Sequence, residues 1–234
     1  FLIPFIIIFV FINKPASSNV IVDYETQIFL NLIYSKIKSV NNINKNINFI
    51  VLSDDSINAF VNNSNNIYLT SGLIENCDDY VALAAVIAHE VGHIDRNHIA
   101  DRKNSINKIS NLNNISTITI IAGSLISKNP EYLQGLTLSS GGLSNIFIEF
   151  SKDQEREADF YSIETLNKLN IYSGSIINLL KTIEKKTKEK GIDKEKLKKG
   201  THPYFKERID IIEYLNKNKG TKLDNDLNIK FNFI

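Results

Sequence analysis

The sequence predicts a mostly helical α+β domain, and three observations carry that expectation. Apolar residues recur at helical spacing along the chain: in Tyr24 to Val40 (Ile28, Leu32, Ile33, Ile37), Val81 to Ala88, Ser173 to Ile183 and Phe205 to Leu215. Two short runs, Asn48 to Leu52 and Asn66 to Thr70, read as strands of a small sheet, the second ended by Gly72. The chain has 234 residues and 43% hydrophobic content, enough to bury one sizeable core and too short for a further repeat array.

Taken in order, the chain begins with Phe1 to Ile12, an apolar run shorter than the roughly 20 residues that span a bilayer. It has the length of a signal-peptide core, and Ala16-Ser17-Ser18 offers small residues for cleavage, so residues 1–18 read as a leader remnant and 19–234 as the functional domain. An uncleaved inner-membrane anchor, with membrane association through the N-terminus, is the alternative. With no Met present, the sequence reads as starting inside a longer protein. The sole cysteine, Cys77, leaves no internal disulfide, and no cysteine near the leader suggests a lipid anchor. Asp78-Asp79 caps a helix running to about Asp101. Ile115 to Ile126 reads as a buried helix, Ser139 to Gly142 as a flexible lead into the helix of Glu155, and Lys181 to Lys199 as a solvated helix-loop-helix. The tail from Lys217 says little, although its last residues could add a strand.

Chemistry concentrates in His89-Glu90-Val91-Gly92-His93. Residues four apart share a helical face, so both imidazoles can converge on one metal ion while Glu90 points toward the water that such an ion activates. Three of the four histidines (His89, His93, His98) fall in this segment. The apolar lead-in Val81 to Ala88 makes the helix a buried one, and buried imidazoles and carboxylates need the partner that a metal supplies.

A hydrolytic zinc needs a third protein ligand and an open position. Glu155-Arg156-Glu157-Ala158-Asp159 offers two carboxylates on one helical face, Glu155 and Asp159; one can bind the metal while the other accepts an N–H from a ligand histidine. Asp153 and Glu157 lie on other faces if Glu155 points inward, and Ala158 lets this helix come close to the metal helix. His98 does not fit the third-histidine pattern HExxHxxGxxH, which would put the ligand at Ile99, so it reads as a helix-end or packing residue.

With both motifs in place the chain resembles the zinc metallopeptidase family of the CAAX prenyl proteases, HtpX and BepA, most closely the soluble BepA-like peptidase domain without a repeat array. The resemblance runs from about Ile47 onward. It rests on Ile57-Asn58-Ala59-Phe60 with Ile67 to Ile74, on His89 to His98, on Glu155 to Asp159, and on Thr201-His202-Pro203 with Arg208-Ile209. One departure is visible: Asn62 to Asn66 replaces a Pro-Gly-Gly-like turn, and Asn tolerates the left-handed geometry such a turn needs.

The resemblance implies a gluzincin-like domain in which His89, His93 and Glu155 hold one zinc, Glu90 is the general base and Asp159 orients a ligand imidazole. It implies that His202 either stabilises the oxyanion or plugs the fourth zinc position at rest, with Arg208 tying that loop to an acidic group near the metal. It also suggests that strand 66–70 is an edge that pairs with extended polypeptide substrate; from sequence alone the strand reads equally as interior. The expected function is hydrolysis of misfolded or unassembled envelope proteins in the periplasm. The alternatives are an assembly factor that uses the same groove with little proteolysis, and a membrane-anchored quality-control protease. The net charge of +1 argues against a nucleic-acid partner.

Overall fold

Local capping explains where the first helix starts and stops. In the computed structural model, which describes residues 20–62, 64–101, 152–189, 205–215 and 224–234, the Asp23 carboxylate accepts the backbone N–H of Thr26 at 2.7 Å and opens α1 (Tyr24–Asn41). Asn42 closes it in the left-handed region at φ 53°. The helix buries Phe29, Leu30, Ile33 and Ile37; of the expected stripe Ile33 and Ile37 face the core, whereas Ile28 is 50% exposed and Leu32 half-buried, because the buried face is centred on Phe29 and Leu30 instead.

The sheet has four strands: β1 (Val20–Ile21), β2 (Asn48–Leu52), β3 (Ala59–Val61) and β4 (Asn66–Thr70), in the order β1-β2-β4-β3. β2 and β4 run parallel, whereas β1 on β2 and β3 on β4 are antiparallel. The Asn62 to Asn66 turn that joins β3 to β4 works without glycine. Asn65 takes φ 57°, and the Asn62 side-chain oxygen accepts the N–H groups of Ser64 and Asn66, each at 3.0 Å.

This topology corrects one expectation. Strand 66–70 is interior, paired along its whole length with Asn48–Leu52 on one side and with Ala59–Val61 on the other. Among the described residues the outer strand on that side is β3. The Thr70 N–H donates to the Asn58 carbonyl and the Asn62 N–H to the Asn66 carbonyl, each at 3.1 Å, while the Asn58 and Asn66 N–H groups donate to the Thr70 hydroxyl and the Asn62 side-chain oxygen. That phase turns the main-chain groups of Ala59 and Val61 away from β4, toward the open side.

After the short α2 (Ser71–Glu75) comes the central element, α3 (Tyr80–Asp95), which Asp79 caps by accepting the N–H groups of Val81 and Ala82. Every residue from Tyr80 to Ile94 except Val86 is buried. The helix stops six residues short of the expected Asp101 because Asn97 turns left-handed at φ 57°. Lys45, on the loop before β2, donates to the carbonyl of Ile94 and to the Asn97 side-chain oxygen, so the released helix end is held from outside. Residues 98–101 then resume a helical turn.

α4 (Lys152–Lys168) crosses α3 closely. A Cβ added to Gly92 would lie 3.1 Å from Tyr161 Cβ and 3.3 Å from Ala158 Cα, so the two small residues set the approach. Ser162 Oγ, donating to the carbonyl of Ala85 at 2.7 Å, ties the pair further along. α5 (Gly174–Glu189) extends past the expected Ile183, and α6 (Phe205–Leu215) has the expected bounds. Among the described residues of the tail there is a helix where a strand was expected: α7 (Asn225–Phe231) is capped by Asp224, and Leu227 and Phe231, one turn apart, are buried, with the Phe231 ring 6.1 Å from that of Phe29. Among the described residues no helix is long and apolar enough to cross a membrane. The expectations on residues 1–18, Ile115 to Ile126, Ser139 to Gly142, Lys190 to Lys199 and His202 fall outside the described residues.

Candidate metal centre

The site is built where α3 crosses α4. His89 and His93, one turn apart on α3, present their Nε2 atoms to each other at 3.1 Å, and both rings are buried. Across the helix contact the Glu155 carboxylate reaches them from α4, with Oε2 3.6 Å from His89 Nε2 and Oε1 3.5 Å from His93 Nε2. Donors around a tetrahedral zinc at bond lengths of about 2.0–2.1 Å stand roughly 3.3 Å apart, which is the scale of this triangle. Two imidazoles and a carboxylate gathered without solvent are a costly arrangement that a cation offsets, and the donor set therefore fits a metal ion.

The outer atoms of the same residues are held. His89 Nδ1 lies 2.9 Å from Asp159 Oδ1, one turn beyond Glu155, so Nδ1–H donates to the carboxylate and the Nε2 lone pair faces the metal position. Arg208, arriving from α6, donates through Nε and Nη2 to the two Asp159 oxygens at 2.8 and 2.7 Å, and its Nη1 is 3.7 Å from Glu155 Oε2. Burial works to raise the Asp159 carboxyl, but the Arg208 guanidinium and the His89 ring prevail and hold it below the usual carboxylate range. Burial likewise disfavours the Arg208 charge, and Asp159, Glu155 and Glu90 outweigh it, so the guanidinium stays protonated.

Arg208 is 7% exposed and neutralises two buried carboxylates. Its replacement by Leu strands them, at an expected cost of about 3–5 kcal/mol in urea unfolding of the metal-free protein. A cost below about 1 kcal/mol, the value of a surface pair, would contradict this electrostatic role.

Glu90, 1% exposed, follows His89 on α3 and lines a cavity of about 90 Å³. Ile57, Asn58 and Ala59 of the outer strand region form one wall of that cavity, and Leu73, Ile163 and Leu180 give it an apolar lining.

The structure thus gathers His89, His93, Glu155, Asp159, Arg208 and Glu90. His202 lies outside the described residues. His98, expected as a helix-end or packing residue, is buried just past the end of α3 and outside the donor triangle, and it also meets His93. Its Nδ1 is 3.0 Å from His93 Nδ1, and its Nε2 is 3.1 Å from Glu157 Oε2. The missed signal was Asn97, whose left-handed turn ends the helix and returns His98 to the His93 ring.

Comparison with known proteins gives the family. The model of peptidase family M48 matches residues 27–216. The beta-barrel assembly-enhancing protease of Yersinia pestis is 25% identical over 72% of this chain and 35% of its own length. The mitochondrial metalloendopeptidase OMA1 of Schizosaccharomyces pombe is 26% identical over 70% of this chain and 44% of its own. For the metalloprotease LoiP of Escherichia coli the figures are 30%, 56% and 49%. The chain spans about a third of the length of the Yersinia pestis relative. Because the family match takes in most of the sequence, including both helices that supply the donor cluster, the chain belongs to peptidase family M48.

Proposed function

We propose that the protein is a zinc metalloendopeptidase that cleaves extended, misfolded or unassembled polypeptides of the cell envelope. The observation that carries the reading is the buried triangle of His89, His93 and Glu155 with Glu90 beside it on the same helix. His89, His93 and Glu155 would hold the zinc, which when bound would supply a water of pKa about 7 and Lewis-acid polarisation of the scissile carbonyl. Glu90 accepts the proton released by the attacking water and returns it to the departing amine. Asp159 keeps the His89 ring in the tautomer whose Nε2 is a ligand, and Arg208 keeps Asp159 ionised.

The sheet supports an extended substrate. The outward main-chain groups of Ala59 and Val61 offer an edge on which an extended peptide can pair, and Ala59 borders the cavity at Glu90. The apolar lining of that cavity suits an aliphatic or aromatic side chain next to the scissile bond. Both demands, an extended backbone and an exposed apolar side chain, are met by unfolded chains and seldom by native ones. The envelope setting rests on the reading of Phe1 to Ile12 as an export signal and on the assembly-enhancing role in the relatives' name.

The test is cleavage by the purified chain of an unfolded substrate, such as casein, beside a folded control, with and without a chelator. The expected result is cleavage of the unfolded substrate alone, abolished by chelation and restored by about one equivalent of zinc per chain. Binding of unfolded chains that delays their aggregation without cleavage, in zinc-loaded protein, would favour the assembly-factor reading instead.

A further inference from the structure

We propose that His98 and Glu157 form a positioning pair that fixes the tautomer and aim of His93, as Asp159 and Arg208 do for His89. The inference rests on the metal reading of His89, His93 and Glu155. If His93 Nε2 keeps its lone pair for the ion, its proton sits on Nδ1, which has His98 Nδ1 at 3.0 Å. His98 must then accept at Nδ1 and carry its own proton on Nε2, where Glu157 Oε2 waits at 3.1 Å. One tautomer of each ring satisfies the whole chain, and that tautomer leaves His93 ready to bind.

The rest of the fold supports this arrangement. His93 is 0% and His98 3% exposed, so neither can exchange these hydrogen bonds for water at low cost. The Asn97 turn puts His98 behind the His93 ring, and Lys45 holds that turn by its bond to the Asn97 side chain at 3.0 Å. Gln154, one residue before Glu155, donates to the His98 carbonyl at 3.3 Å and ties the turn to α4. His98 meets the ring on the nitrogen opposite the metal position, so it is a positioning residue and not a fourth ligand. A ligand histidine whose outer nitrogen is held by a neighbour binds its metal more tightly, typically by about 10- to 100-fold.

The test measures zinc release from the full chain, loaded with one equivalent, to an excess of a chelating chromophore. His98→Phe removes the acceptor and is expected to speed release by about 10- to 100-fold. His98→Asn places a carbonyl oxygen near the former Nδ1 and is expected to stay within about threefold of the wild type. Glu157 is exposed, so Glu157→Ala puts folding at little risk, and it should speed release by roughly three- to tenfold. Release from His98→Asn as fast as from His98→Phe would overturn the pair, because a purely packing role predicts that equality. Unchanged release in both His98→Phe and Glu157→Ala would overturn it as well. A wild-type chain that takes up no zinc would instead remove the site beneath it, a result distinct from normal loading with no effect of the variants.

Discussion

Glu90→Gln is expected to fold, to bind zinc with wild-type stoichiometry and to lose roughly 10² to 10⁴ in turnover. The substitution preserves shape and removes only the capacity to take a proton, at a side chain buried beside His89 on the wall of the cavity. Because the His89, His93 and Glu155 triangle does not include Glu90, metal content should stay at one ion while kcat falls. Metal analysis beside steady-state kinetics checks both halves. Turnover within about tenfold of the wild type would remove Glu90 from proton transfer.

Glu155→Ala is the second large effect, and it falls on the metal. Removing one donor of three leaves two neutral imidazoles, and the Arg208 Nη1 that lies 3.7 Å from the lost carboxylate then repels the cation. The variant is expected to emerge from desalting with little zinc, whereas Glu157→Ala, two residues on and 60% exposed, keeps its ion at saturating zinc and differs only in release rate. Comparable metal loss in both would mean that α4 presents a different face to α3.

Much of this architecture was legible in the sequence because it follows from local periodicity. The spacing of His89 and His93, the pairing of Glu155 with Asp159 and the small Ala158 predict two helices that meet at one point, and the structure brings them together with Gly92 at the crossing. Long-range facts were not legible. Whether Asn66–Thr70 is an edge depends on where β3 folds back, and a three-residue strand carries almost no periodic signal. The Asn62 to Asn66 turn gave no hint that its outer partner was the strand beside the cavity. The approach of His98 to His93 was not legible for a related reason: a straight helix carries position 98 away from His93, and only the left-handed Asn97, clamped by a lysine 52 residues earlier, brings it back. The tail was not legible because Leu227 and Phe231 look like isolated apolar residues until the core they join, with the Phe29 ring against Phe231, is in place.

The most direct test of the central claim is an anomalous-diffraction map at the zinc edge from crystals of the zinc-loaded chain. The account predicts one strong peak between α3 and α4, about 2.0–2.2 Å from His89 Nε2, His93 Nε2 and a Glu155 oxygen, with Glu90 outside that shell. A peak held by other residues, or stoichiometric zinc in solution with no peak at this crossing, would contradict it.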